Sequence, residues 1–286
     1  MRGQVSQFLL MTKRRLSAAG KSSRRIKFKR APRPASTIPA ETKYALALTS
    51  MIKTGGRLVE DIILSQLDRL IRIGQVKADS DRRNDAGWPD ELARMVGDFR
   101  QRFERETGSR FEQALQEAES ETNGKNMRSF QNQMKKMLQV DVFSQDPDLP
   151  FALKAWENEN RRLWKNVGEQ MIGDVEGIVS REMAAGARRE TIAEKIMNRL
   201  GVSESRARVI AVDQVQKLQG ELTRRRQVQS GVSHYKWRTS LDERVRPAHA
   251  EREDVVFSWD SPPEDGHPGQ PINCRCWAEP YLEDLI

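Results

Sequence analysis

Residues 262–271 read PPEDGHPGQP, a run that neither a helix nor a long strand can cross. Proline lacks the amide donor and fixes φ, and glycine leaves the backbone unspecified. This end of the chain must therefore build an irregular loop, tied down by side chains and flanked by short strands. Tyr235, Trp237 and Thr239 alternate with polar neighbours, the pattern of a half-buried strand. Residues 255–259 give a second strand and residues 276–278 a third. Arg246 precedes a proline and is turned away from helix. The side chains available to hold the loop are Asp242, Arg246, His249, Cys274 and Arg275. All three histidines (His234, His249, His267), both cysteines (Cys274, Cys276) and three of the six tryptophans lie between residues 234 and 281. Any chemistry is expected there.

Upstream, the period of the pattern changes from two to that of a helix. Tyr44, Leu48, Met51, Ile52, Val59, Ile62, Ile63, Leu67 and Leu70 form one apolar stripe, with a break expected at Gly55-Gly56. A polar loop follows over residues 74–88, and Pro89-Asp90-Glu91 opens a second helix striped by Leu92, Met95, Val96, Phe99, Phe103, Phe111 and Leu115. Thr122-Asn123-Gly124 is expected to end it before a short helix bearing Phe130 and Met134. The run Ser144 to Pro150 is the best internal boundary. Beyond it a long helix ends near Gly186, a short one is closed by Gly201, and a longer one, starting at Ser203, is released by Gly231. The fold class is thus mainly α: an elongated helical body with a small C-terminal α+β module of short strands and a Pro/Gly-rich loop. The divisions are 1–40 as a basic disordered tail, 41–145 and 146–232 as helical segments, and 233–286 as the module.

Charge is divided unevenly. Residues 1–40 hold 11 of the 49 basic residues and no acid, which leaves 38 against 41 acids in the rest, a net −3. The tail's Lys13, Arg14, Arg15, Arg24, Arg25, Lys27, Lys29 and Arg30 are the candidate contacts to DNA phosphates. A solubilising tail and an organellar transit peptide are the other readings of such a stretch. No apolar run reaches membrane-spanning length, so no membrane partner is expected. Two cysteines one residue apart cannot frame a disulfide scaffold, which fits assembly in a reducing cytoplasm.

The motif W-x-T-x-x-D-x-R-V-R-x-x-H, followed by P-P and then H-P-G-Q-x-I-N-C-R-C, resembles the signature of the phage Mu F-like minor head proteins, also called the phage head morphogenesis family. The residues that carry it are Trp237, Thr239, Asp242, Arg244, Val245, Arg246, His249, Pro262, Pro263, Pro268, Gly269, Asn273, Cys274, Arg275 and Cys276. The likeness reaches back to the helical lead-in at Ala211-Val212-Asp213-Gln214 and covers about residues 180 to 282. Members often have a glycine shortly after the histidine, where this chain has Glu253 and Asp254; Asp tolerates the backbone angles such a turn needs. The resemblance implies a structural virion protein inside the head, acting in procapsid assembly near the portal. Its partners would be portal protein, major capsid or scaffold protein, and non-specific double-stranded DNA. A DNA-binding ejection protein delivered with the genome is the alternative.

Two readings of the His/Cys cluster stand side by side. His249, His267, Cys274 and Cys276 supply the donor set of tetrahedral zinc, although C-x-C is a tighter bite than the usual C-x-x-C. Otherwise Asp242 pairs with Arg246 or Arg275 and the cysteines are small buried residues. A nuclease-like site on Asp242, His249 and His267, or a His249–Cys274 nucleophile and base, lacks any supporting P-loop, nucleophile elbow or helix-borne metal motif. Some relatives are fused to toxin domains beyond the signature, whereas this sequence stops at Ile286. No catalysis is expected.

Overall fold

A computed structural model describes residues 30–78, 87–138 and 146–282. Helices dominate: α1 (Ile38–Ile62), α2 (Leu67–Ala78), α3 (Trp88–Leu138), α4 (Leu149–Ala184) and α5 (Arg189–Gln229). The C-terminal part adds strand β1 (His234–Arg238), the one-turn helix α6 (Pro247–Ala250), and strands β2 (Val256–Ser258) and β3 (Trp277–Tyr281). A mainly α chain ending in a small module of short strands is therefore what forms. Its contacts group into two compact units. Among the described residues, one draws on 42–116 and 157–211, and the other on 30–41, 117–156 and 212–282. These units interleave along the sequence, whereas the reading from composition divides it linearly.

The first unit is a helical core. Phe99 stacks on Phe103, Phe103 on Trp164, and Trp164 on Phe111, with centroids 5.4–5.5 Å apart. Val59, Ile63, Leu67, Leu70 and Leu115 are wholly buried beside Val175, Ile192 and Ile196. The expected break at Gly55-Gly56 is absent, because α1 runs through it. A Cβ on Gly55 would fall 2.3 Å from Met171 Cε and 3.0 Å from Phe103 Cε2; on Gly168 it would fall 2.8 Å from Phe103 Cε1. These glycines let neighbouring side chains reach the helix backbone, and that packing outweighs their low helix propensity. α3 also continues past Gly124 and α5 past Gly201, although neither glycine has a side chain of another helix against it. Part of the expected loop at 74–88 is also helical, since α2 extends to Ala78.

Glycine does end helices where φ turns positive. At Gly186 (φ +68°) and Gly231 (φ +86°) the chain closes in the same way: Gly186 N–H bonds Met183 O and Ala187 N–H bonds Glu182 O, while Gly231 N–H bonds Val228 O and Val232 N–H bonds Gln227 O. Both are Schellman caps, and only glycine adopts that angle without strain.

The second unit contains the module. Its sheet has the order β2-β1-β3, antiparallel throughout, with Tyr235 opposite Phe257 on one side and Trp237 opposite Ala278 on the other. Tyr235 and Trp237 are fully buried and pack with Trp259, Cys274, Cys276 and Ala278. The last turns of α5 fasten this sheet. Gln227, wholly buried, donates to Ala278 O at 3.0 Å and accepts from Trp259 Nε1 at 3.2 Å. Residues 30–40, assigned by composition to the tail, belong to this fold. Ala31 is buried and its N–H donates to Glu279 Oε1 at 2.8 Å; Pro32 O accepts from Gln133, and Ala35 N–H donates to Ser129.

Candidate metal centre in the signature module

Pro247, placed at the first position of α6, turns the chain so that His249 points inward. The imidazole is 2% exposed and lies edge-on to Trp237, with centroids 5.1 Å apart. Its Nε2 sits 2.8 Å from Asp265 Oδ2, and Arg252 holds the other oxygen of that carboxylate at 2.5 Å. The guanidinium of Arg252 in turn lies 5.0 Å over the Trp237 ring. An imidazole whose Nε2–H faces a carboxylate presents the Nδ1 lone pair on its opposite side. There Nδ1 meets Cys276 Sγ at 3.5 Å and Cys274 Sγ at 3.7 Å.

These three donor atoms lie within 4.8 Å of one another, and among the described residues they form the one group of three or more His, Cys, Asp or Glu able to hold a metal ion. The Cys276 thiol, donating to the Cys274 sulfur, draws the Cys274 thiol down to about 6 against the opposing effect of burial, with help from the Gly269 and Cys276 amides. The same pairing, together with burial, pushes the Cys276 thiol up. Two cysteine sulfurs and an imidazole nitrogen are the donor types a soft divalent metal takes.

His267 is the correction to the expected ligand set. Its Nδ1 lies 2.9 Å from the Tyr235 hydroxyl, its N–H donates to Gln270 Oε1, and its ring packs 4.9 Å from Trp259. Burial, and then the charge of Arg224, hold it below the usual histidine range. Of the expected polar pairs, Asp242–Arg275 forms, at the surface, and Asp242–Arg246 does not. Asp242 and Arg275 stand 3.8 Å apart with both side chains 40% exposed, and Arg246 donates from the surface to Ile272 O at 2.6 Å. Asp242 accepts the Arg244 N–H in a local turn, with Arg244 exposed beside it.

The buried ion network of the module lies elsewhere. Arg238, 6% exposed at its side chain, bonds Glu279 through Nε, and Glu253 and Asp254 through Nη1. Glu253 also accepts the Thr239 N–H at 2.6 Å and hydroxyl at 2.8 Å. Asp254 takes φ +65°, the left-handed angle that a glycine would supply, as the departure from the family pattern anticipated. Asn273 takes φ +55° and donates its N–H to Asp213 Oδ1 at 3.1 Å, which links the signature to its helical lead-in. Pro268-Gly269 lies against Gly220 of α5, where an added Cβ would meet Pro268 O at 2.7 Å.

Beside the cluster lies a cavity of about 460 Å³, lined by Cys274 and Cys276 together with Gln216, Gly220, Arg33 and Arg275. Sequence reasoning missed Asp265, Arg252, Arg238, Glu279 and Gln227. Only Asp265 has a signal, as an acid two residues from a candidate ligand, within the stretch whose composition marks it as loop. Of the expected DNA contacts, Lys13, Arg14, Arg15, Arg24, Arg25, Lys27 and Lys29 lie outside the described residues, and Arg30 is exposed. Among the described residues no helix is long and apolar enough to cross a membrane.

A signature loop folded around a His/Cys/Cys cluster and clamped to a preceding long helix has a match among known families. Residues 173–279 match the family described as Phage Mu protein F like protein. Among individual proteins, an uncharacterized protein of Haemophilus influenzae is 36% identical over 139 residues, covering 48% of this chain and 31% of that protein. The chain thus spans less than a third of the relative it matches. No solved structure matches it.

Proposed function

We propose that this is a phage minor head protein, acting in procapsid assembly and head morphogenesis near the portal and carried inside the head of the virion. The observation that supports this most is the Mu F-like match, whose signature residues fall within one hydrogen-bonded module. In this reading portal protein is the principal partner, with major capsid or scaffold protein around it, and the basic residues of 1–40 contact packaged DNA without sequence preference. The His249, Cys274, Cys276 cluster suits zinc, which would brace the signature. The test is whether the purified full chain binds portal protein in the absence of DNA, together with the protein composition of particles made with and without this gene. Absence from purified heads would overturn the reading. Binding to DNA but not to portal, with the protein present in heads, would favour the ejection role instead.

A further inference from the structure

The structure assigns zinc three protein ligands, His249 Nδ1, Cys274 Sγ and Cys276 Sγ, and we infer that the fourth coordination position is exchangeable and is supplied from the adjoining cavity. This rests on the reading of the cluster as a zinc site and adds its coordination. With zinc–sulfur bonds of about 2.3 Å and zinc–nitrogen bonds of about 2.0–2.1 Å, a tetrahedron has sulfur-to-nitrogen edges of about 3.5–3.6 Å. The two edges found are 3.5 and 3.7 Å. Two sulfurs held at nearly equal range from one nitrogen lone pair form the base of a shared coordination sphere; a single S–H···N bond would favour one of them.

The surroundings match what a ligating histidine requires. Asp265 occupies Nε2 and so fixes the tautomer that turns Nδ1 toward the thiols, and Arg252 fixes Asp265. Asp265 and Arg252 are therefore positioning residues. No fourth His, Cys, Asp or Glu joins the three among the described residues, and His267 is engaged by Tyr235. Both cysteines line the cavity of about 460 Å³, which also carries Arg33 and Arg275. Glu41 and Asp242 line it as well, and Asp242 faces Arg275, so the lining charge is balanced and the fourth donor is a small exchangeable oxygen ligand, water or hydroxide. Three protein ligands and one exchangeable position distinguish this arrangement from a closed four-ligand structural site.

The experiment uses the full chain purified without chelator or added metal. Elemental analysis should return about one zinc per chain; Cys274→Ser and Cys276→Ser should each lose it. His267→Gln should keep it, which excludes the alternative fourth ligand. Asp265→Asn should weaken zinc affinity about 10–100-fold in competition with a chromophoric chelator, with melting of the zinc-loaded protein followed to show that the variant still folds. Cobalt substituted for zinc should give thiolate-to-metal absorption, and adding azide, a small anionic probe, should shift its visible bands. Wild-type protein with no more zinc than Cys274→Ser would overturn the site. Bound cobalt whose spectrum ignores azide would overturn the exchangeable position. Because metal content is read on isolated protein, a chain that binds zinc but is missing from heads would sink the proposed function and leave this inference standing.

Discussion

Replacing Arg238 with methionine tests whether the module is held by its buried charge network. Methionine replaces the aliphatic stem and lacks the guanidinium. Three carboxylates then remain together without their cation, but they are not equally costly. Glu253 is 22% exposed and Asp254 65%, so water can solvate both, whereas Glu279 is 4% exposed and keeps only the Ala31 N–H. Removing one partner of a buried pair costs about 3–5 kcal/mol, and with two of the acids wet the lower part of that range, about 3 kcal/mol, is expected. Arg238→Met combined with Glu279→Gln removes the stranded charge and keeps an acceptor for Ala31, so the double variant should cost less than the two singles summed. Urea denaturation at neutral pH, followed by tryptophan fluorescence, measures all three. The acid limb gives a second readout. Burial alone would raise the Glu253 carboxyl, but bonds from the Thr239 amide and hydroxyl and from Arg238 hold it below 4.5. Its contribution is therefore full above that pH and lost as pH falls through the folded value. Arg238→Met should shrink this acid-dependent loss. A single variant that costs under about 1 kcal/mol, or strictly additive costs, would refute the network as a source of stability.

Gly220→Ala should destabilise the protein by about 1–3 kcal/mol, since the new methyl meets a backbone oxygen that cannot rotate away; a neutral denaturation midpoint would mean that α5 and the loop separate freely. His267 is held below its ordinary value of 6.5 and so stays neutral when folded. Its environment costs nothing above that pH and destabilises the fold as pH falls below it, because the unfolded chain takes up the proton first; melts of His267→Gln across pH 7 to 5 should lack that limb. Removing residues 1–29 deletes nine basic residues and no acid. If about six phosphates are engaged, log K against log salt should flatten from a slope of about −5 to near zero, and an unchanged slope would move DNA contact to the body. A deletion reaching residue 37 should also lower stability, by stripping Ala31 from Glu279.

What could be read in the sequence follows a physical division. The strands at 234–238, 256–258 and 277–281 were legible because alternation and proline placement are local signals. The clustering of His249, Cys274 and Cys276 was legible for the same reason, since C-x-C on an extended chain turns both thiols to one side. Gly186 and Gly231 read correctly as stops because each is followed by the end of an apolar stripe. Gly55, Gly124 and Gly201 read wrongly because their helices are sustained by packing, which a propensity cannot register. Thr122 and Asn126 make the point at the second of these. Thr122, part of the expected stop, and Asn126 just beyond it are both buried, and Asn126 donates to Thr223 Oγ1 at 2.8 Å and to Gln219 O at 3.2 Å. His267 was drawn into the metal set because its type fits, and only its tertiary partner, Tyr235, removes it. Arg238 and Glu279 could not be paired from sequence, because neither carries a local pattern that names a partner 41 residues away.

The bond from Ala31 to Glu279 spans 248 residues, and that separation fixes an order of events on the ribosome. At synthesis rates of about 5–20 residues per second, the Glu279 codon is read about 12–50 s after that of Ala31. Ser129 and Gln133 appear first and give residues 32–35 an early berth on α3. The carboxylate that receives Ala31 arrives much later, on the strand that also completes the sheet. Closure of the module and fastening of Ala31 are thus a single late step. A chain stalled before β3 would leave Ala31 unfastened, and protease sensitivity near residue 31 in nascent chains would report how far synthesis had gone.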